Sequence, residues 1–303
     1  MGSWSADGRR RAVCSDRGLL MDGDGKVWMI TGAGRGMGTS FARAALAAGH
    51  SVVATGRRPD DVALAVGGGD RMLAVKLDVT NIAEIEAAVA AAVDRFGRVD
   101  VLVNNAGASF KGYFEEMSPA QVADQLAANL IGPMNVTRAV LPVMRRQRSG
   151  HLVAISSGAG IMGFEYSSVY AASKAGLEGW MGALAQEVAP FGIHTTIVNP
   201  GFFRTTLASP DSLVWPDVEI DDYAERSAAQ RTWWASQDGR QPGDPGKLAA
   251  ALVSIVAEQP PPKRFLAGGD VVALAERKIA ELREQIEQHR ELSTSLAFDE
   301  TAG

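Results

Sequence analysis

The sequence predicts an α/β protein with one doubly wound parallel sheet of about seven strands and helices on both of its faces. Short apolar runs alternate with helical segments from residue 27 onward, and a glycine-rich turn joins the first run to the first helix. The chain has 303 residues, of which 46% are hydrophobic and 21% are charged. This composition is typical of a globular protein and excludes a wholly disordered chain.

Six of the strands are predicted within the first 200 residues, because short runs rich in apolar and β-branched residues recur there. They cover residues 27–31, 51–55, 72–77, 99–103, 151–155 and 193–198. The helices between them are predicted over residues 36–49, 81–96, 122–144 and 168–188, with Asn81 or Thr80 as the cap of the second helix.

The end of the chain predicts a last strand and one extra helix. Three prolines from Pro260 stop a helix, and residues 265–268 form the last strand. Asp270 is expected to cap a helix that continues to about residue 292. An apolar stripe at helical spacing predicts that this helix docks on its own domain or on a neighbouring subunit; it consists of Ala275, Ile279, Leu282 and Ile286.

We therefore expect a disordered tail over residues 1–25, one Rossmann-type domain over residues 26–268, and a C-terminal amphipathic helix and tail over residues 269–303. Three arginines from Arg9 look like the start of a signal peptide, but no apolar segment follows them, which favours a cytoplasmic protein. Because Met21 lies just before the first strand, a further hypothesis is that residues 1–20 are an artefact of the choice of start codon.

The charge and the cysteine content exclude several classes of function. The net charge of −5 argues against a nucleic-acid or membrane-surface partner. The single cysteine, Cys14, permits no disulfide within the chain and no cysteine zinc site. The four histidines have no metal-ligand spacing, so we expect no metal.

The glycine-rich turn predicts a nucleotide site. It reads Thr31-Gly32-Ala33-Gly34-Arg35-Gly36-Met37-Gly38, between the first strand and the first helix. Glycines allow a tight turn and the close approach of a pyrophosphate, and the helix N-terminus offers N–H groups to it. The residues that we expect at the cofactor are Gly32, Arg35, Gly36, Met37 and Gly38.

The end of the second strand favours NADP(H) over NAD(H), although NAD(H) stays possible. No acidic residue, which would bind the ribose 2′-hydroxyl of NAD, lies between Gly38 and Asp60. Arg57 and Arg58 stand there instead, and Arg35 lies in the loop itself. Converging guanidinium groups would suit a 2′-phosphate.

Further motifs follow in order, each after a predicted strand or within a predicted helix. They are Asp78-Val79, Asn104-Asn105-Ala106-Gly107, Asn129, Ser157, Tyr170 with Lys174 four residues later, Pro200-Gly201 and Thr205. With these motifs the sequence resembles the classical short-chain dehydrogenase/reductase family, from about residue 26 to residue 206 and more loosely to about residue 268. The resemblance implies a Rossmann fold, a homodimer or homotetramer, and a small-molecule carbonyl or alcohol substrate.

The resemblance also implies the roles of the catalytic residues. Tyr170 exchanges a proton with the substrate oxygen, Ser157 hydrogen-bonds that oxygen, Lys174 lowers the tyrosine pKa and binds the nicotinamide ribose, and Asn129 holds a water in a proton relay. The spacing of four puts Tyr170 and Lys174 on one helix face. Besides these two, the implied cofactor residues are Asp78, Val79, Asn105, Ala106, Gly107, Pro200, Gly201 and Thr205.

Residues 202–245 form the region that the resemblance assigns to the substrate. Their aromatic residues favour a bulky apolar substrate, or they pack a helical pair onto the core. We expect an NADP(H)-dependent oxidoreductase that interconverts a carbonyl and a secondary alcohol. The alternatives are an NAD-dependent alcohol dehydrogenase, reduction of an imine or an enone, and a nucleotide-binding regulator or scaffold without catalysis.

Overall fold

Seven parallel strands form the central sheet of the computed structural model, which describes residues 25–206, 209 and 212–298. The expected tail lies outside the described residues except for Gly25, and so do residues 299–303. The predicted doubly wound sheet is confirmed. Its strands run in the order β3-β2-β1-β4-β6-β7-β9. They are β1 (Val27–Ile30), β2 (Ser51–Gly56), β3 (Met72–Lys76), β4 (Val101–Asn104), β6 (Gly150–Ile155), β7 (Ile193–Pro200) and β9 (Arg264–Ala267).

A separate parallel pair, β5 (Ser109–Phe110) and β8 (Leu213–Val214), lies beyond the carboxyl ends of the sheet strands. The helices are α1 (Gly36–Ala47), α2 (Pro59–Val66), α3 (Ile82–Phe96), α4 (Pro119–Leu126), α5 (Gly132–Gln147), α6 (Ser168–Val188), α7 (Ala224–Ser236), α8 (Pro245–Ala257) and α9 (Gly269–Thr294).

Both faces of the sheet are buried, which explains why its strands read as continuous apolar runs. In β1, Met29 packs in a core layer that contains residues of α3, α5 and α6. Its neighbours Trp28 and Ile30 point to the opposite layer, which contains residues of α1, α2 and α8. This alternation follows from the two-residue period of a strand.

The connections from β1 to its two neighbours position the functional site. Strand β1 pairs with β2 on one side and with β4 on the other, so the chain leaves β1 in opposite directions in the two halves of the sheet. Such a switch point opens a crevice at the carboxyl ends of parallel strands, where ligands of open α/β sheets bind. The glycine-rich turn after β1 lies at this point.

The helix predicted over residues 122–144 is interrupted. Residues Ala127–Ile131 form a π-helical segment between α4 and α5. Pro133 in the first turn of α5 has no N–H for the carbonyl four residues earlier, which belongs to Asn129, so the regular ladder cannot continue there. Helix α2, an eight-residue helix that begins at Pro59, was not predicted from the sequence.

Helix α9 docks on its own domain through its first two turns, where Val271, Leu274 and Ala275 are buried. Its N-cap is Gly268, so the prediction that Asp270 caps the helix is wrong. The Asp270 carboxylate instead accepts a hydrogen bond from the Phe202 N–H at 2.7 Å. We name the rest of its apolar face, which is about half exposed, the exposed stripe of α9; it consists of Ile279, Leu282 and Ile286. Within the described part of the chain, no helix is both long and apolar enough to cross a membrane.

Candidate active site

The turn after β1 requires glycine at three positions. Gly32 and Gly36 have φ values of +66° and +59°, which disfavour side chains. Gly38 is crowded, because a Cβ there would lie 2.3 Å from the carbonyl oxygen of Gly32 and 2.6 Å from Nδ2 of Asn105. The first turn of α1 therefore lies directly against the loop, as the glycine spacing predicts.

Hydrogen bonds join this turn to the end of β4. The Thr31 hydroxyl accepts from the backbone N–H groups of Asn105, at 3.0 Å, and Ala106, at 2.9 Å. The Asn105 side chain donates to the backbone carbonyl of Thr31 at 2.8 Å. The Asn-Asn-Ala-Gly motif thus fixes the shape of the glycine turn.

The N-terminus of α1 suits a phosphate group. Arg35 is its N-cap residue and makes no side-chain cap hydrogen bond, and the first turn contains no acidic residue. The first N–H groups of a helix have no partner within the helix and carry a partial positive charge. This end of α1 therefore fits the pyrophosphate of a dinucleotide.

Exposed arginines lie in the glycine turn and directly after β2. The Arg35 guanidinium donates to the Ser212 hydroxyl at 2.8 Å. Arg58 forms an ion pair with Asp61 on α2. Burial raises the pKa of Asp78, but hydrogen bonds from Thr80 and the charges of Arg57 and Lys76 outweigh it and leave that pKa below its usual value.

Val79, which follows Asp78, is buried against Gly132 of α5, where a Cβ would lie 2.8 Å from the valine Cγ2. This packing fixes the chain that follows β3 against the start of α5.

The structure brings Ser157, Tyr170 and Lys174 together. Ser157 follows β6, and its side chain lies beside Tyr170 of α6 at the cavity wall. The ammonium of Lys174 lies 5.7 Å from the centre of the Tyr170 ring. It donates to the backbone carbonyl of Ile155 at 2.9 Å, which fixes the lysine against the end of β6.

Burial shifts the acid–base properties of this group. It raises the pKa of Tyr170 above its ordinary value, while the neighbouring Ser157 hydroxyl opposes this. Burial lowers the pKa of Lys174 to about 8, and the nearby charge of Glu178 opposes that shift. At neutral pH Tyr170 is therefore protonated and able to donate, beside a mostly protonated lysine.

Asn129 lies in the π-helical segment and binds the chain that follows the Asn-Asn-Ala-Gly motif. Its carbonyl accepts from the N–H of Ala108 at 2.8 Å, and its amide donates to the Ala108 carbonyl at 3.0 Å and to the Ser173 hydroxyl at 3.1 Å. A Cβ on Gly107 would lie 3.0 Å from Oδ1 of Asn129 and 3.9 Å from Nζ of Lys174. Gly107 thus allows Asn129 and Lys174 to approach the same stretch of backbone.

A polar cluster that the sequence pattern did not predict lies behind Ser157. Glu178, one helical turn beyond Lys174, accepts from the Ser156 hydroxyl at 2.6 Å and from the Asn199 amide at 2.5 Å. Arg264 of β9 forms a 2.6 Å ion pair with the same carboxylate. The available signal was that Glu178 lies four residues after Lys174 on α6. Its partners lie directly after β6, in β7 and in β9, so they could not be paired with it from the sequence.

A cavity of about 590 Å³ opens beside Tyr170 and Ser157. Residues of the glycine turn and the end of β7 reach it, namely Met37, Pro200 and Gly201. Thr205 lies beside Gly36, because a Cβ added to Gly36 would be 3.6 Å from the Cβ of Thr205. Large apolar side chains from several segments form much of the wall; they are Phe164, Phe202, Trp233, Trp234, Val271 and Leu274.

Tyr166, four residues before Tyr170, does not line the cavity and is buried against Tyr113 and Trp215. Of the aromatic residues over 202–245, Trp233 and Trp234 line the cavity and also pack on Phe202. Leu207 of that region lies outside the described residues.

The switch point of the sheet forms a crevice for a dinucleotide, and a tyrosine and a lysine lie on one helix face beside a substrate-sized cavity. These features define an oxidoreductase that uses a nicotinamide cofactor. The family model of short chain dehydrogenases matches residues 26–213, and the chain belongs to this family. Its members act on CH–OH groups and their carbonyl counterparts.

Relatives extend this result over most of the chain. An oxidoreductase of Botryotinia fuckeliana is 37% identical over 274 residues, which cover 90% of this chain and 99% of the relative. A 3-ketodihydrosphingosine reductase of Bacteroides thetaiotaomicron is 37% identical, over 80% of this chain and 88% of its own length. The crystal structure of a short-chain dehydrogenase from Streptomyces avermitilis has a TM-score of 0.82 and 39% identity, over 91% of this chain and 100% of that structure.

Proposed function

We propose that the protein is an NADP(H)-dependent oxidoreductase that interconverts a carbonyl and a secondary alcohol on a bulky apolar substrate. One observation carries the proposal: Tyr170 and Ser157 lie together at the wall of the cavity, with Lys174 buried behind the tyrosine. A module that only binds nucleotides has no chemical need for this arrangement.

The residues divide the work of the reduction. The nicotinamide cofactor supplies the hydride when it is bound. Ser157 hydrogen-bonds the substrate oxygen, and Tyr170, protonated at neutral pH, gives its proton to that oxygen. The positive charge of Lys174 stabilises the phenolate that remains. Asn129 holds the backbone at Ala108 and, in this proposal, keeps a water in contact with the lysine side of the site.

The cofactor residues are proposed at the crevice edge. The glycine turn and the N-terminus of α1 take the pyrophosphate, and Asp78, Val79 and the Asn105-Ala106-Gly107 backbone border the adenine and ribose positions. Pro200, Gly201 and Thr205 border the nicotinamide.

The preference for NADP(H) rests on the arginines. Arg57 follows β2 directly, is exposed, and carries a charge that acts on Asp78. Arg35 lies in the glycine turn after β1, the strand next to β2. Arg58 follows Arg57 in the sequence. The exposed Arg57 and the absence of an acidic residue at the end of β2 favour a 2′-phosphate.

The apolar substrate is supported by the aromatic wall of the cavity, chiefly Trp233, Trp234 and Phe202. The name of the Bacteroides relative describes a reductase of a keto compound, which agrees with carbonyl reduction. We propose ketones with an aromatic or branched apolar body as the first substrates to test.

The decisive experiment measures NADPH oxidation with a panel of such ketones in the wild type and in Tyr170→Phe. We expect the variant to lose at least about a hundredfold in kcat/KM, because general acid catalysis contributes on this scale. Tyr166→Phe is the matched control: it also removes one hydroxyl, but from a buried tyrosine that does not line the cavity. Equal loss in both variants, or no turnover by the wild type, would overturn the proposal.

The cofactor preference is tested by fluorescence titration with NADPH and NADH. We expect Arg57→Ala to weaken NADPH binding about tenfold and to leave NADH binding unchanged. Arg146→Ala, which removes an exposed arginine at the end of α5, is the control for the loss of a positive charge. Wild-type protein that binds NADH as tightly as NADPH would contradict the preference.

A further inference from the structure

Lys111 is a buried lysine inside the substrate cavity that the proposed mechanism does not use. It follows β5, and its backbone N–H donates to Val214 of β8 at 2.9 Å. Only 4% of the residue is exposed, yet it lines the cavity. The small parallel sheet thus holds this lysine in place from its backbone.

The ammonium of Lys111 makes few polar contacts. It donates to the Ser167 hydroxyl at 2.8 Å. It also lies 4.1 Å from the centre of the Trp234 ring and 4.9 Å from the centre of the Tyr170 ring. An ammonium has three donors, and within the described chain only one of them has a hydrogen-bond acceptor. Two ammonium groups, those of Lys111 and Lys174, thus lie 4.9 Å and 5.7 Å from the centre of the Tyr170 ring.

The other charged side chains of the cavity do not balance this charge. Glu165 is engaged by Arg226 and by the Tyr113 hydroxyl. The Asp270 carboxylate accepts a hydrogen bond from the backbone N–H of Phe202, and Arg277 is exposed on the third turn of α9. In the described residues no carboxylate forms an ion pair with Lys111.

Burying an unpaired ammonium is unfavourable, and burial alone lowers the pKa of Lys111 to about 7. A structural lysine would normally reach either solvent or a carboxylate. An anion in the cavity would restore the protonated form and use the two remaining donors.

We propose that Lys111 binds a carboxylate of the substrate, so that the enzyme acts on keto acids, or the corresponding hydroxy acids, that carry an apolar body. The proposal rests on the proposed function and deepens it. The carboxylate contacts the lysine, the reacting carbonyl lies at Tyr170 and Ser157, and the apolar body contacts the tryptophans of α7. Lys111 is a specificity-determining residue in this scheme.

A binding experiment tests the site without turnover. Isothermal titration calorimetry of the full chain compares 3-phenylpropanoate with its uncharged analogue 3-phenylpropanamide at about pH 6. We expect the acid to bind about tenfold more tightly in the wild type and equally with the amide in Lys111→Met. Arg277→Met removes the other cation of the cavity and should keep the preference.

The pH dependence gives a second readout. Binding of the acid should weaken at least tenfold between about pH 6 and pH 9, as Lys111 loses its proton. The groups around it are Tyr170, Glu165, Asp270, Arg277 and, behind the tyrosine, Lys174. Of these, Lys174 has a pKa of about 8, so any pH dependence that remains in Lys111→Met is assigned to Lys174.

Equal binding of acid and amide by the wild type, or a preference that survives in Lys111→Met, would overturn the proposal. The two proposals fail separately when NADPH oxidation is measured with a keto acid and its methyl ester. If ketones are reduced without preference for the acid, the role of Lys111 fails and the proposed function stands. If neither compound is reduced but the acid binds through Lys111, the proposed function fails and the anion site stands.

Discussion

Replacement of Gly38 by alanine tests how the glycine turn and α1 fit together. The added Cβ would lie 2.3 Å from the Gly32 carbonyl oxygen and 2.6 Å from the Asn105 amide nitrogen. Ordinary contacts of a Cβ are about 3.4–4 Å, so the turn and the helix must separate by about 1 Å. Overpacking of this kind costs about 1–3 kcal/mol.

The strain falls on the backbone that would hold the pyrophosphate. We expect Gly38→Ala to weaken binding of the preferred nicotinamide cofactor by at least about tenfold, which corresponds to about 1.4 kcal/mol. Fluorescence titration measures the affinity, and urea denaturation measures the free energy of unfolding.

Gly179→Ala on α6 is the matched control, because a Cβ there meets nothing within 4 Å. Alanine is the better helix former by about 1 kcal/mol, so this variant should be at least as stable as the wild type and bind cofactor normally. Wild-type affinity and stability in Gly38→Ala would refute the reasoning that the close contact shapes the site.

Three further predictions concern the rest of the molecule. Glu178→Ala should lower the free energy of unfolding in urea by about 2 kcal/mol, because it removes the acceptor for three donors, whereas the exposed Glu187→Ala should change it by less than about 0.5 kcal/mol. Lys111→Met should raise the thermal midpoint most at or below pH 7. Burial lowers the pKa of Lys111 from 10.5 to about 7, so the unfolded chain binds more protons than the folded chain between these pH values. The wild type therefore gains stability as the pH rises through that window, and the difference in thermal midpoint between variant and wild type shrinks. A difference that does not change with pH would contradict this. Removing residues 278–303 deletes the exposed stripe of α9 and leaves its buried turns, so the chain should stay folded but assemble with fewer subunits, as light scattering measures; an unchanged number of subunits would show that the stripe makes no subunit contact.

Local signals made most of the fold predictable. Helix α6 was predicted with its observed bounds. Two serines, Ser167 and Ser168, stand at its start, and an Ala-Pro sequence follows its last residue, Val188. The break between α4 and α5 was also signalled by Gly132-Pro133, but the apolar period continues across it and favours one helix. Asn129 enters the site from this break, and π-helical segments often occur at functional sites.

Contacts between distant segments were not predictable. The set of Ser157, Tyr170 and Lys174 was found because its residues lie close in sequence and match a known pattern. Lys111 gives no such signal, since an isolated lysine in a loop is normally exposed and its burial depends on β8 and α7 far along the chain. The role of Asp270 was misjudged for the same reason, because its partner is the backbone at Phe202.

The order of the strands along the chain also has a consequence for biosynthesis. β1 to β4 pair with one another within the first 104 residues, so the nucleotide half of the sheet can form while the ribosome is still adding the rest. The cavity walls from α7 and α9 and the edge strand β9 are made last. Substitutions and insertions after residue 200 can therefore change which substrates fit the cavity without altering β1 to β4. A chain that ended before residue 200 would contain the glycine turn but would lack the cavity walls from α7 and α9.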